Sequence, residues 1–203
     1  YGGNAKALMV CIDKVTCAKM AERIQTKWDE KITELRTKLA SEEAHFAKAG
    51  KPETAFVARL RAQVDWMTNT QIRPIFSPEQ NEVKDFAAEG IDVKPYREAM
   101  IKGLDARPID ECFKDGKHPF RVAIVCAMWL TGFDVKSLAT LYLDKPMKGH
   151  TLMQAIARVN RVAANKKNGL IIDYNGMLKS LRKALATYAQ GDKEIPTDPL
   201  IDE

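Results

Sequence analysis

Two short segments of this 203-residue sequence combine side chains that could handle a phosphate chain. In the first, Thr131, Gly132 and Asp134 closely follow an apolar run at 120–126. A hydroxyl can hydrogen-bond a phosphate, a glycine lets the main chain approach a ligand, and a carboxylate can accept from a ribose hydroxyl or orient an arginine. The alternative is an ordinary turn that ends a strand, with Gly132 needed only for its geometry.

The second segment carries Gln154, Arg158 and Arg161, which are four and three residues apart. On a helix these positions share one face, so an amide and two guanidinium groups would project together. An arginine placed in this way can neutralise charge that develops on a transferring γ-phosphoryl group. The alternative is a surface helix with Ile156 and Val159 packed inward and the arginines in solvent.

A parallel α/β sheet is the scaffold that the hydrophobic pattern predicts. Short apolar runs predict strands at 5–12, 70–76, 120–126, 138–143 and 169–174, with helical patterns between them. Alternating strands and helices are typical of parallel sheets, whose ligands bind at the carboxyl ends of the strands. Pro74 lacks an N–H for a sheet ladder and therefore predicts an edge strand or a bulge.

Helical periodicity is strongest in the first third of the chain. Apolar residues at three- and four-residue steps predict helices over 16–46 and 56–67, separated by Gly50-Lys51-Pro52. We interpret about 28–68 as a helical hairpin inserted after the first strand and helix. Further helices are predicted from Ser77 to Gly90, from Thr151 through Arg161 and at 177–190, and short helices or loops are predicted at 95–102 and 108–113. Residues 1–190 are expected to form one domain and 191–203 a tail or linker.

Composition and charge narrow the class of protein. The chain is 45% hydrophobic and 29% charged, which excludes a disordered or fibrous protein. Residues 144–183 contain nine basic and two acidic side chains, a net charge of +7, whereas the whole chain carries only +5. This concentration suits a surface that meets polyanions, although a solvated helical face would show it too.

Metal binding and membrane insertion are not indicated by the sequence. The four cysteines have no CxxC spacing and the three histidines no HxxxH pair, so we expect no zinc site, with Cys11 and Cys126 in the core. No apolar stretch approaches a membrane span and no signal peptide is evident, which leads us to expect a cytoplasmic protein. Because the sequence begins with Tyr1, we expect a piece of a longer polypeptide.

Three stretches, 127–134, 141–150 and 152–162, together resemble the restriction (motor) subunit of type I restriction-modification enzymes. More broadly, they resemble motifs V and VI of superfamily two helicases. Residues 77–82 are also similar to that subunit's second motor domain, and the first strand would stand where motif IV is found. The resemblance implies a RecA-like fold and an ATP-driven translocase of double-stranded DNA. The predicted fold is then a RecA-like parallel sheet flanked by helices, into which the helical hairpin read from the periodicity is inserted.

Residue roles follow from that resemblance. Arg161 would be the arginine finger of motif VI, and Arg158 a phosphate or interdomain contact. Gln154, Gly132 and Asp134 would lie at the ATP, while Thr131 and Lys148 would contact DNA. The implied partners are the first RecA-like domain of the same subunit, double-stranded DNA, and the modification and specificity subunits of the complex.

Several parts of such an enzyme have no counterpart in the sequence. It contains no GxxxxGK[ST] motif and no convincing nuclease site, and Asp110-Glu111 follows a proline rather than a buried strand, which predicts a short helix. The resemblance therefore implies that ATP and Mg are bound mainly by the first motor domain, and that this chain alone is inactive. The alternative function is a stand-alone DNA-binding or assembly module without nucleotide chemistry.

Overall fold

Five parallel strands form a single sheet at the centre of the structure. The computed structural model describes residues 3–49, 54–130, 132–147, 149–160, 166, 168–179 and 182. The strands are β1 (Lys6–Cys11), β2 (Gln71–Ile75), β3 (Phe120–Val125), β4 (Leu138–Asp144) and β5 (Leu170–Asp173). Their order across the sheet is β2-β3-β1-β4-β5, and every neighbouring pair is parallel. The predicted parallel α/β fold of RecA-like type is confirmed.

The edge position of β2 follows from its proline. Pro74 lies opposite Ile124 of β3, and no other strand of the described residues pairs with β2 on its other side. A proline in a central strand would leave one neighbour without its hydrogen bond, whereas an edge strand needs only one satisfied side. The prediction from Pro74 is therefore confirmed.

Helices cover both faces of the sheet. They are α1 (Lys14–Ala49), α2 (Ala55–Asn69), α3 (Glu82–Ala88), α4 (Lys94–Lys102), α5 (Ile109–Lys114) and α6 (Gly149–Val159). On one face, Val10 packs with Phe113 of α5 and Val159 of α6. On the other, Cys11 packs with Cys17 of α1. Because successive residues of a strand point to opposite faces, β1 contributes to both cores.

The predicted hairpin consists of the second part of α1 and the whole of α2. Ile32 and Leu35 of α1 pack against Leu60 and Val64 of α2 in an apolar cluster separate from those of the sheet. The Trp28 indole N–H donates to the Met67 carbonyl at 2.9 Å. Contacts between the beginning of one segment and the end of the other make the pair antiparallel, and α1 serves as both crossover helix and first arm.

The predicted helix start at Ser77 is wrong. Residues 77–81 form a loop, and α3 begins at Glu82 after Asn81, whose φ is 73°. Arg97 explains the difference: it donates to the Glu82 carboxylate at 2.5 Å and to the Phe76 carbonyl at 3.0 Å. This largely buried ion pair holds the loop that a helix from Ser77 would replace. Arg97 also holds the pKa of the Glu82 carboxyl below its ordinary value.

Other boundaries differ by a few residues. α6 begins at Gly149, ahead of the predicted cap Thr151, and ends at Val159. Of the two alternatives predicted for 95–102 and 108–113, short helix or loop, the structure shows helices in both places, α4 and α5. Most of the predicted last helix and the whole of the predicted tail lie outside the described residues. All four cysteines are buried free thiols, as expected for Cys11 and Cys126.

Candidate functional site

The loop that follows β3 lies at the carboxyl edge of the sheet, where parallel α/β folds bind their ligands. It turns sharply, because Trp129 and Gly132 have φ values of 66° and 67°. Gly132 and Asp134 are exposed to solvent. Thr131, predicted to contact DNA, lies outside the described residues.

An aromatic stack attaches this loop to α5. The Trp129 ring lies 4.4 Å from that of Phe133 and 5.3 Å from that of Phe113, measured between centroids, and both pairs are stacked. The Lys114 ammonium group lies 4.9 Å from the centroid of the Phe133 ring. Such stacked pairs contribute beyond the area that they bury. The stack offsets the unfavourable main-chain angle that a bulky residue such as Trp129 adopts here.

Helix α6 presents the second predicted segment. Leu152, Ala155 and Val159 are buried against the sheet at three- and four-residue steps, which fixes the rotation of the helix. The inward position of Val159 agrees with the sequence, whereas Ile156 is only partly buried at the margin of the core. Gln154 is half-buried.

The Arg158 side chain joins the two predicted segments. Its Nε donates to the Leu130 carbonyl at 2.7 Å, and its Nη1 donates to the Phe133 carbonyl. The guanidinium group therefore lies against the main chain on both sides of residues 131–132. Arg161 and Lys148, predicted as arginine finger and DNA contact, lie outside the described residues.

Sequence reasoning missed the parts of the site that hold the loop rather than bind a ligand. Phe113 is far from Trp129 and Phe133 in the sequence, and only the fold brings the three rings together. Lys145, which donates to the Cys126 carbonyl at 2.9 Å, adds a contact between the ends of β4 and β3. The one available signal was the density of aromatic residues around the glycine.

The described residues form neither a metal-binding cluster nor a membrane-spanning helix. Within the described ranges, no three side chains of His, Cys, Asp or Glu are grouped so that they could hold one metal ion. In the same part of the chain, no helix combines the length and apolar character needed to cross a membrane.

Comparison with known proteins supports the resemblance seen in the sequence. A family model described as type I restriction enzyme subunit R domain 3 matches residues 105–176. The type I restriction enzyme HindI endonuclease subunit of Haemophilus influenzae is 56% identical over 100 residues, which is 48% of this chain and 10% of that protein. The range matched by the family model includes β3, the loop after it, β4, α6 and β5.

Two staphylococcal proteins show the same relationship. The SsaAORF53P endonuclease subunit of Staphylococcus saprophyticus is 46% identical over 70 residues, and the SauCOLORF180P endonuclease subunit of Staphylococcus aureus is 44% identical over 78 residues. These matches cover 34% and 38% of this chain, and 8% of each relative. The chain thus spans about a tenth of the length of the relatives it matches, and the resemblance to a type I R subunit is confirmed.

Proposed function

We propose that this chain, a relative of the R subunits of type I restriction enzymes, is the second motor lobe of an ATP-dependent translocase of double-stranded DNA. The observation that carries the proposal is the junction of α6 with the loop after β3, made by Arg158. In this junction the helix that leads to Arg161 lies beside the loop that contains Gly132 and Asp134. The match of residues 105–176 to the model described as type I restriction enzyme subunit R domain 3 supports placing the chain in such a subunit.

In this proposal Arg161 is the arginine finger. It would reach the γ-phosphate of ATP held by the first motor lobe and neutralise charge in the transition state. Gln154, Gly132 and Asp134 would lie near the same nucleotide. The chain lacks a P-loop, so ATP and Mg would be bound mainly by the first lobe, and this part alone would not hydrolyse ATP.

In this proposal the chain would bind DNA through contacts with its phosphate groups. Thr131 and Lys148, with the other basic residues of 144–183, would contact the backbone without reading the sequence. Opening and closing of the cleft between the lobes would then step them along the duplex. The modification and specificity subunits would complete the restriction endonuclease, which we assign to the cytoplasm, and another subunit would read the recognition site.

Substitution of Arg161 in the intact R subunit tests the finger. Arg161→Ala should reduce DNA-stimulated ATP turnover by about 10³-fold or more, because it removes the group that offsets charge on the transferring phosphoryl. Arg23→Ala is the matched control, since Arg23 is an exposed arginine of α1, and it should hydrolyse ATP at the wild-type rate. Normal turnover by the Arg161→Ala subunit would reject the assignment.

A further inference from the structure

Arg158 lies against main-chain acceptors rather than in an open position. The acceptors belong to Leu130 and Phe133, which flank residues 131–132, and Leu130 is itself buried. A guanidinium group has its donors in a rigid fork, so two acceptors fix its orientation as well as its position. The same fork fixes the two carbonyl groups relative to α6.

Both ends of this connection are anchored elsewhere. On the two sides of Leu130, the loop is held by Trp129 and Phe133, which stack with Phe113 of α5. Helix α6 is held on the sheet by Leu152 and Val159. Arg158 therefore joins two bodies that are each packed on the core, and a shift of one is passed to the other through its hydrogen bonds.

We propose that Arg158 is a positioning residue that sets the loop at 130–133 against α6. It acts on the ATP and DNA sites by fixing the position of the loop relative to α6, and its guanidinium group donates to main-chain carbonyls instead of a phosphate. The expected effect of this role on ATP turnover rests on the proposed motor function. The contact itself is a property of the fold and can be tested without any turnover.

Two neutral substitutions separate this role from that of a phosphate ligand. In Arg158→Gln the side-chain nitrogen follows Cδ, as Nε does in arginine, so it can still donate to the Leu130 carbonyl. In Arg158→Met a sulfur stands at Cδ and no donor remains. A phosphate ligand needs the positive charge, which both variants lack, whereas the loop needs the donor, which only the glutamine variant keeps.

Hydrogen exchange of the intact R subunit measures the loop directly. Amides of residues 127–135 should exchange fastest in Arg158→Met, which loses both hydrogen bonds to the loop. In Arg158→Gln, which keeps the donor to Leu130 and loses the one to Phe133, they should exchange about fivefold more slowly than in Arg158→Met, since a net hydrogen bond is worth about 1 kcal/mol. Peptides from β1 and β4 should keep wild-type protection in both variants, which shows that the fold is intact.

The rate of ATP turnover by the same variants, assembled with the modification and specificity subunits, tests the consequence for function. Arg158→Gln should retain several-fold more DNA-stimulated kcat than Arg158→Met, with more DNA needed for half-maximal stimulation in the methionine variant. Equal loss in both variants, with a raised KM for ATP and wild-type exchange of the loop, would overturn the positioning role. If the wild-type subunit shows no DNA-stimulated turnover, the motor function fails, and exchange rates alone then decide the role of Arg158.

Discussion

At the scale of single residues, two of the described positions in the loop after β3 lie in the left-handed region, and they are stabilised differently. Gly132 has no side chain to strain, and a Cβ at this position would meet no atom of the described residues within 4 Å. Trp129 bears the same type of main-chain angle with a large side chain, which its stack on Phe133 and Phe113 stabilises. Conformation rather than lack of space is therefore what requires glycine at position 132.

Substitutions of Gly132 can separate these two requirements. Gly132→Asn should change the free energy of unfolding by only a few tenths of a kcal/mol, because asparagine tolerates the left-handed region. Gly132→Val should lower it by about 1 to 2 kcal/mol, because a β-branched residue does not. Denaturant unfolding of the two variants measures the difference. Equal stability of both variants would show that the loop simply changes its angles.

Residue types were predictable here, but their contacts were not. The resemblance selected Gly132, Asp134, Gln154 and Arg158 from the sequence alone. The acceptors of Arg158 depend on how α6 is rotated and on where the loop crosses it, and local spacing contains neither quantity. For the same reason, the ion pair between Glu82 and Arg97 was not foreseen and the start of α3 was misplaced.

At the scale of elements, the amino ends of β1 and β3 are joined by a buried lysine. Lys6 is 1% exposed, and its ammonium group donates to the carbonyls of His118 and Phe120 at 2.8 and 2.7 Å. Burial, with the nearby Arg121 charge, lowers the pKa of Lys6 from 10.5 to about 8. The folded protein thus binds the Lys6 proton more weakly than the unfolded chain does.

This shift predicts a dependence of stability on pH. Between pH 8 and 10.5 the unfolded chain keeps the proton that folded Lys6 has lost, so the free energy of unfolding should rise with pH in that window. Below pH 8 both states are protonated, and the burial penalty is present in full. Between pH 7 and 10, wild type should gain roughly 2 to 3 kcal/mol relative to Lys6→Met.

Denaturant unfolding of wild type and Lys6→Met at the two pH values checks this. Only the difference between the proteins matters, because other groups titrate equally in both. A constant difference from pH 7 to 10 would mean that Lys6 keeps its ordinary pKa in the folded protein.

The positions of the strands were predicted from the sequence more accurately than any other feature of the fold. All five strands fall within one or two residues of their predicted ranges, since short apolar runs bounded by polar residues describe buried parallel strands well. Helix starts were predicted less accurately: Ser77 and Pro78 form a favourable local cap, yet Arg97, a residue of another helix, determines the loop. Long-range contacts of this kind override local capping signals.

At the scale of the whole molecule, the distribution of charge and the length of the chain indicate that its proposed site is completed by another domain. The basic segment 144–183 includes the sequence of α6 and carries a net charge of +7, more than the +5 of the whole chain. A chain that covers about a tenth of its relatives' length, and lacks a P-loop, would contribute an arginine and phosphate contacts to a site completed by another domain. The proposed activity would therefore be a property of the intact protein and not of this chain alone.

DNA-stimulated ATP hydrolysis by the intact R subunit, assembled with its modification and specificity subunits, tests the central claim most directly. Linear double-stranded DNA that carries the recognition site should raise the rate of ATP turnover well above the rate without DNA, and the stimulation should weaken at high salt. An unchanged rate of ATP turnover on addition of that DNA, with DNA binding intact, would contradict the motor function and favour a DNA-binding or assembly module.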